Sequence, residues 1–216
     1  MHTPTSRVSI LIVSWNGADL LAKCIQSLSQ AIAHGMQVVV VDNGSTPPLR
    51  PISGTTWVRS ESNLGFAGGN NLGLPQCTGD YVLLLNNDTQ LPDLSPIETL
   101  VTYLDEHPRV AIAQAKLIRP DGKLDTCGEF LTPLGVLYHH GYGLPDGPHA
   151  QKPFPVYASK ICKGGFANQA ASRFRGIDGK GLLCMRSIGQ AIAMVIEDAE
   201  WREEFAAGVE VAIGTD

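Results

Sequence analysis

Val8–Ser45 reads VSILIVSWNGADLLAKCIQSLSQAIAHGMQVVVVDNGS, and this stretch decides the fold. Val8–Val13 is β-branched and almost continuously apolar, which suits a strand buried on both faces, as in a parallel sheet. Asn16-Gly17 breaks it. From Ala18 to Ala33 the apolar residues fall at Leu20, Leu21, Cys24, Ile25, Leu28 and Ile32, the spacing of one helix. Val38–Val41 is a second buried strand, closed by Asp42-Asn43-Gly44-Ser45. Two such strands joined by a helix predict a β-α-β unit with parallel strands.

The pattern continues outward from this unit. Thr56–Arg59 predicts a short strand. Asn63–Gly73 predicts a Gly/Asn-rich loop entering a short helix. Tyr81–Leu85 predicts a third buried strand, ended by Asn86-Asn87-Asp88. Pro96–His107 predicts a helix stopped by Pro108, and Val110–Ala113 the next strand. Pro120-Asp121-Gly122 is a turn signal. Between Phe130 and Gly181 Gly, Pro, His and Lys interrupt every apolar run, and the pattern places no elements. Leu182–Met185 and Ala191–Val195 are short apolar pieces. Glu197–Ala207 predicts a helix and Val209–Ile213 a last strand. This alternation predicts an α/β sandwich with a mostly parallel sheet, its ligand chemistry at the carboxyl ends of the strands.

Composition excludes several classes. The 216 residues are 44% hydrophobic and 17% charged, which argues against disorder. Asp plus Glu number 21 against 16 Lys plus Arg, a net charge of −5 that argues against a generic nucleic-acid partner. The longest apolar run is Ala191–Ile196, far short of the roughly 20 residues of a bilayer span. The short polar start at Met1–Arg7 carries no apolar signal region, so the expectation is a cytoplasmic protein. The five cysteines are scattered and odd in number, which predicts reduced structural thiols.

Polar corners follow the predicted strands: Ser14-Trp15-Asn16, Asp42-Asn43 and Asn86-Asn87-Asp88. In a parallel sheet they share one edge and build a polar crevice on an apolar platform. Asn63-Leu64-Gly65-Phe66-Ala67-Gly68-Gly69-Asn70-Asn71 combines glycines, which let a backbone approach a ligand, with paired amide donors and acceptors. It is neither G-x-G-x-x-G nor a P-loop, which counts against dinucleotide and triphosphate folds. Asp88 offers a hard oxygen ligand to a divalent cation whose other ligands are substrate phosphates. Glu197, Asp198 and Glu200 form a late acidic cluster with two readings, a charged helix start or a general base.

These segments together resemble the family 2 glycosyltransferases of GT-A fold, especially the rhamnosyltransferase-like and galactofuranosyltransferase-like members. The matching stretches are VSILIVSWN (8–16), VVVVDNGS (38–45), NLGFAGGNNLG (63–73), YVLLLNNDT (81–89) and EDAEW (197–201), in the family's order. The resemblance implies a Rossmann-like three-layer GT-A sandwich, with residues 1–130 as the donor-binding half and 131–216 as the acceptor and catalytic-base half. It implies that Asp42 recognises the donor's base, with Ser14, Trp15, Asn16 and Asn43 lining the pocket. Asn63, Gly65, Gly68 and Asn70 would approach the nucleotide and sugar. Asn86-Asn87-Asp88 stands at the family's Asp-x-Asp position, with Asp88 holding Mg2+ or Mn2+. Asp198 would be the base, beside Glu197 and Glu200.

The implied reaction is inverting transfer from a nucleotide-diphosphate sugar, of dTDP-rhamnose type, to a glycan or lipid-linked acceptor in cell-envelope polysaccharide synthesis. A lipid-linked acceptor would bring the protein to the inner face of the cell membrane. The family's Gly-Phe-Asp-Glu-like acceptor segment does not align within 160–190. No histidine follows the last strand to complete a metal site, so the expectation is a chain truncated at its C-terminus, with reduced activity. Two other readings remain open on the residues alone: a nucleotide-sugar-binding domain impaired in catalysis, and a nucleotidyltransferase, which the missing basic Gly-rich loop disfavours.

Overall fold

A computed structural model describes residues 7–107, 112–131, 137–147, 154–157, 181–184 and 210–213. The chain forms two compact units that divide between Glu98 and Thr99.

Unit 1 is built on four strands: β1 (Val8–Ser14), β2 (Gln37–Asn43), β3 (Thr56–Ser60) and β4 (Tyr81–Asn86). Their order is β4-β1-β2-β3, and every pairing is parallel. Helices α1 (Ala18–Ser27), α2 (Ser29–Ala33) and α3 (Gly65–Gly73) connect them, and α4 (Ser95–Glu106) spans the division between units. Successive residues of a strand face opposite sides of the sheet. Leu11 on one face of β1 and Ile10 and Ile12 on the other are all fully buried, so helices cover both faces. Each such side chain contributes about 1.5–3 kcal/mol.

Small residues set how closely α3 lies on the sheet. A Cβ on Gly69 would come within 2.7 Å of Val13 Cγ1, and one on Gly73 within 2.5 Å of Leu11 Cδ1. The Gly-rich composition that reads as a loop is therefore mostly helix, with glycine at the two positions where the helix touches β1.

The helix expected over Ala18–Ala33 is two helices that turn at Leu28. The Leu28 N–H donates to Ile25 O at 3.0 Å. The Ser27 hydroxyl donates to Cys24 O at 2.6 Å, a local bond that competes with helix continuation. Ser27 Oγ also accepts from Leu91 N at 3.1 Å, so the break anchors the chain after β4.

In unit 2, β5 (Ile112–Gln114) lies between β11 (Gly181–Cys184) and β12 (Glu210–Ile213), parallel to both. β10 (Phe154–Tyr157) pairs antiparallel with β12. Two further antiparallel pairs are β6 (Leu117–Ile118) with β7 (Leu124–Thr126), around the expected Asp121-Gly122 turn, and β8 (Glu129–Leu131) with β9 (Leu137–His139). The α/β class with a mostly parallel sheet is as the sequence predicts. The expected pieces at Ala191–Val195 and Glu197–Ala207 lie outside the described residues. No described helix is long and apolar enough to cross a membrane. Cys24, Cys77 and Cys127 are buried and form no disulfide among the described residues, in line with reduced structural thiols.

Gly44 carries φ +77°, and a Cβ there would lie 2.4 Å from the Ser62 carbonyl carbon. Gly122 carries φ +78° with open space around it. Left-handed backbone costs an L-residue about 1–2 kcal/mol, and backbone cannot yield to the Gly44 clash as a flexible side chain would. Gly44→Ala should therefore lower the urea midpoint clearly more than Gly122→Ala. Equal losses would contradict the close approach of the two loops.

Candidate functional site

The strands of unit 1 end side by side, so their last residues form a row. Register sets Asn86 beside Val13, Ser14 beside Asp42, and Asp42 beside Arg59. Parallel strands place this row at the carboxyl edge, where open α/β sheets bind ligands.

Asp42 is the buried charge of the row, with no solvent exposure. Oδ1 accepts the Ser45 N–H at 3.0 Å and Oδ2 the Leu49 N–H at 3.1 Å. Arg59 Nη1 donates to Oδ2, and Arg59 Nη2 donates to Ser45 O at 3.2 Å. Burial pushes the Asp42 pKa up. Hydrogen bonds from Ser45, Leu49 and Arg59 outweigh it, and the carboxyl sits below its usual range.

Asn43, 2% exposed, does for the next loop what Asp42 does for the first. Its Nδ2 donates to Asn63 Oδ1 at 3.1 Å and Gly65 O at 2.9 Å, and its Oδ1 accepts the Leu64 N–H at 3.0 Å. The start of α3 is thereby clamped to the end of β2. Asn16 closes the third corner. Its N–H donates to Ser45 Oγ at 2.9 Å, and its Oδ1 accepts from Thr46 N at 2.8 Å. Its φ of +54° is a conformation asparagine tolerates. Asn87 Nδ2 donates to Ser14 Oγ at 3.0 Å, joining the β4 corner to β1.

The expected donor residues thus separate by exposure. Ser14, Asp42, Asn43, Asn70 and Asn86 are buried. Asn70 turns inward and donates to Phe66 O at 2.8 Å, within α3. Trp15 is 55% exposed, and Asn16, Asn63, Gly65 and Asp88 are exposed beside it in sequence or through these bonds; Gly68 and Asn87 are half-buried. The exposed groups can touch a ligand, and the buried ones hold them. Asp88 makes no hydrogen bond or ion pair with a described residue. Its charge adds to burial in pushing the Cys24 thiol up to about 12, which keeps that thiol protonated. No three His, Cys, Asp or Glu residues gather as a metal-binding group among the described residues. Asp198, Glu197 and Glu200 lie outside the described residues.

Sequence reasoning missed Arg59. A lone arginine in a short strand reads as a solvated charge. The available signal was its place on the strand after Asp42, where parallel register sets the two side by side.

Residues 9–128 match the model of the family described as Glycosyl transferase family 2. The chain is 29% identical over 152 residues, 67% of its length, to "O-antigen biosynthesis protein RfbC" of Myxococcus xanthus, and covers 12% of that protein. It is 28% identical over 156 residues to "Uncharacterized protein y4gI" of Sinorhizobium fredii, covering 68% of this chain and 17% of that protein. It is 29% identical over 124 residues to "Amylovoran biosynthesis glycosyltransferase AmsE" of Erwinia amylovora, covering 52% of this chain and 46% of that protein. The chain therefore spans less than half the length of each of these relatives.

With its folded pKa depressed, Asp42 contributes stability that is fully present above the unfolded aspartate value of about 4. That contribution is lost as pH falls through the lower folded value. Asp42→Asn should flatten the acid limb of urea stability between about pH 5 and pH 2. An acid limb of unchanged slope would show that this carboxylate is not held as described.

Proposed function

The chain belongs to glycosyl transferase family 2, and on that premise we propose that it transfers a sugar from a nucleotide-diphosphate sugar to a glycan or lipid-linked acceptor. The observation that carries this reading is the polar row at the carboxyl edge of unit 1, with Trp15, Asn16, Asn63 and Asp88 exposed along it. We assign donor binding to residues 1–130, and the acceptor and the base to 131–216. The names of the Myxococcus and Erwinia relatives support a place in the synthesis of cell-envelope polysaccharide. The subgroup resemblance favours a donor of dTDP-rhamnose type. The reaction belongs where nucleotide sugars are made, in the cytoplasm, and at the inner face of the membrane when the acceptor is lipid-linked.

Each part of the donor meets a group suited to it. The exposed Trp15 indole offers a stacking face to the base. Asn16 and Asn63, whose Oδ1 atoms accept from Thr46, Asn43 and Gly65, offer their amide hydrogens to base and ribose. The Asn43 clamp fixes the start of α3, and the N-terminal end of a helix favours an anion. Asp42 acts from behind, fixing the loop that carries Ser45 to Leu49. An exposed carboxylate without a partner among the described residues fits a hard cation that takes its other oxygens from water and phosphate. Asp88 would therefore hold Mg2+ or Mn2+, which when bound neutralises the departing diphosphate.

In the chemical step the acceptor oxygen bonds to the anomeric carbon as the bond to the diphosphate breaks. Attack opposite the leaving group inverts that carbon. We assign proton removal from the acceptor hydroxyl to Asp198, with Glu197 and Glu200 beside it; the Glu197–Trp201 motif supports this.

Thermal shift with dTDP-rhamnose, UDP-glucose, UDP-galactose and GDP-mannose, each with and without Mn2+, should raise the melting temperature for one base class. Asp198→Asn should lose about 10²–10⁴-fold in turnover while keeping donor affinity. Asp88→Asn should weaken donor binding only when Mn2+ is present. Full turnover in Asp198→Asn would overturn the base assignment. Binding without turnover in the wild type would make the chain a sugar-nucleotide-binding module, and no binding at all would refute the proposal.

A further inference from the structure

Gln114 is the last residue of β5 and has no solvent exposure, and neither its Nε2 nor its Oε1 has a hydrogen-bond partner among the described residues. Buried side-chain amides are nearly always paired, because each unmade bond leaves the cost of desolvation uncompensated. An amide with both ends open among the described residues is a group that a bound molecule can pair. Its place supports that reading. Register sets Gln114 beside Cys184 of β11 and Ile213 of β12, at the carboxyl ends of three parallel strands. That end of a parallel sheet is where ligands bind.

We propose that the Gln114 carboxamide recognises a pair of neighbouring sugar hydroxyls. One hydroxyl donates to Oε1 while the next accepts from Nε2, which completes the amide at both ends. The proposal rests on the sugar-transfer reading and adds to it a specificity-determining residue on β5, a strand where the sequence reading assigned no site residue. The sugar belongs either to the donor or to the acceptor, and the two sources are separable by experiment.

Gln114→Met and Gln114→Leu test this in the full chain. Replacing an unpaired buried amide with an apolar group of similar size is neutral or stabilising, so the melting temperature should stay level or rise. Calorimetry then uses the best nucleotide sugar of the panel above, its nucleoside diphosphate alone, and methyl α-rhamnoside and methyl β-glucoside as acceptor analogues. Losing the hydroxyl pair should weaken one sugar ligand by about tenfold or more. Loss for the nucleotide sugar but not its diphosphate places the pair on the donor, and loss for a methyl glycoside places it on the acceptor. A fall in melting temperature in both variants would mean that chain or ordered water pairs the amide, and would overturn the proposal. So would equal losses for nucleotide sugar and diphosphate, or no loss for any probe. If the wild type binds none of these ligands, the sugar-transfer reading fails and this proposal with it; if it binds them and the variants match it, this proposal alone fails.

Discussion

A carboxylate shut off from water must find its charge balance and its hydrogen bonds within the chain. Asp42 meets that demand at the end of β2, taking Ser45, Leu49 and Arg59 as donors. Asn43 beside it takes Leu64 as donor and gives its amide hydrogens to Asn63 and Gly65. One dipeptide thus fixes two loops, and Ser45 passes the constraint to a third through Asn16. Loops that carry binding groups need a rigid support of this kind. Here the support is two adjacent polar side chains, buried where a strand leaves the core.

The consequence is a division of labour along the edge. Residues that the family pattern treats as one binding set split into groups that face solvent and groups that hold them. Trp15, Asn16, Asn63 and Asp88 present surface, whereas Ser14, Asp42, Asn43 and Asn70 have almost none. Close packing enforces the split. Gly69 and Gly73 let α3 settle directly on β1, which brings the start of that helix within reach of the Asn43 amide.

The strands of unit 1 were legible because their residues have only one comfortable place. Val8–Val13, Val38–Val41 and Tyr81–Leu85 are too apolar for any position but the middle of a covered parallel sheet. The polar corners were legible for a related reason, since Asp and Asn after such runs lie at the edge. Direction within the edge was not legible. Nothing in the string DNGS says that the Asp42 carboxylate turns back to meet an arginine 17 residues on. The break at Leu28 was hidden too, because the apolar spacing runs through it and the competing bond comes from one serine hydroxyl. In unit 2 the apolar pieces at Val110–Ala113, Leu182–Met185 and Val209–Ile213 were legible where β5, β11 and β12 lie, whereas the two- to four-residue strands β6 to β10 carry too little periodicity to read, and an amide such as Gln114, unpaired among the described residues, leaves no mark on a sequence pattern.

We propose that a nucleotide sugar binds at the carboxyl edge of unit 1. Backbone hydrogen–deuterium exchange, with and without a bound nucleotide sugar, tests it directly. Added protection is expected within residues 15–17, 45–49, 64–66 and 87–89, while the buried interiors of β1 and β2 stay unchanged. Binding that leaves those four segments as they were, with protection confined to other parts of the chain, would contradict it.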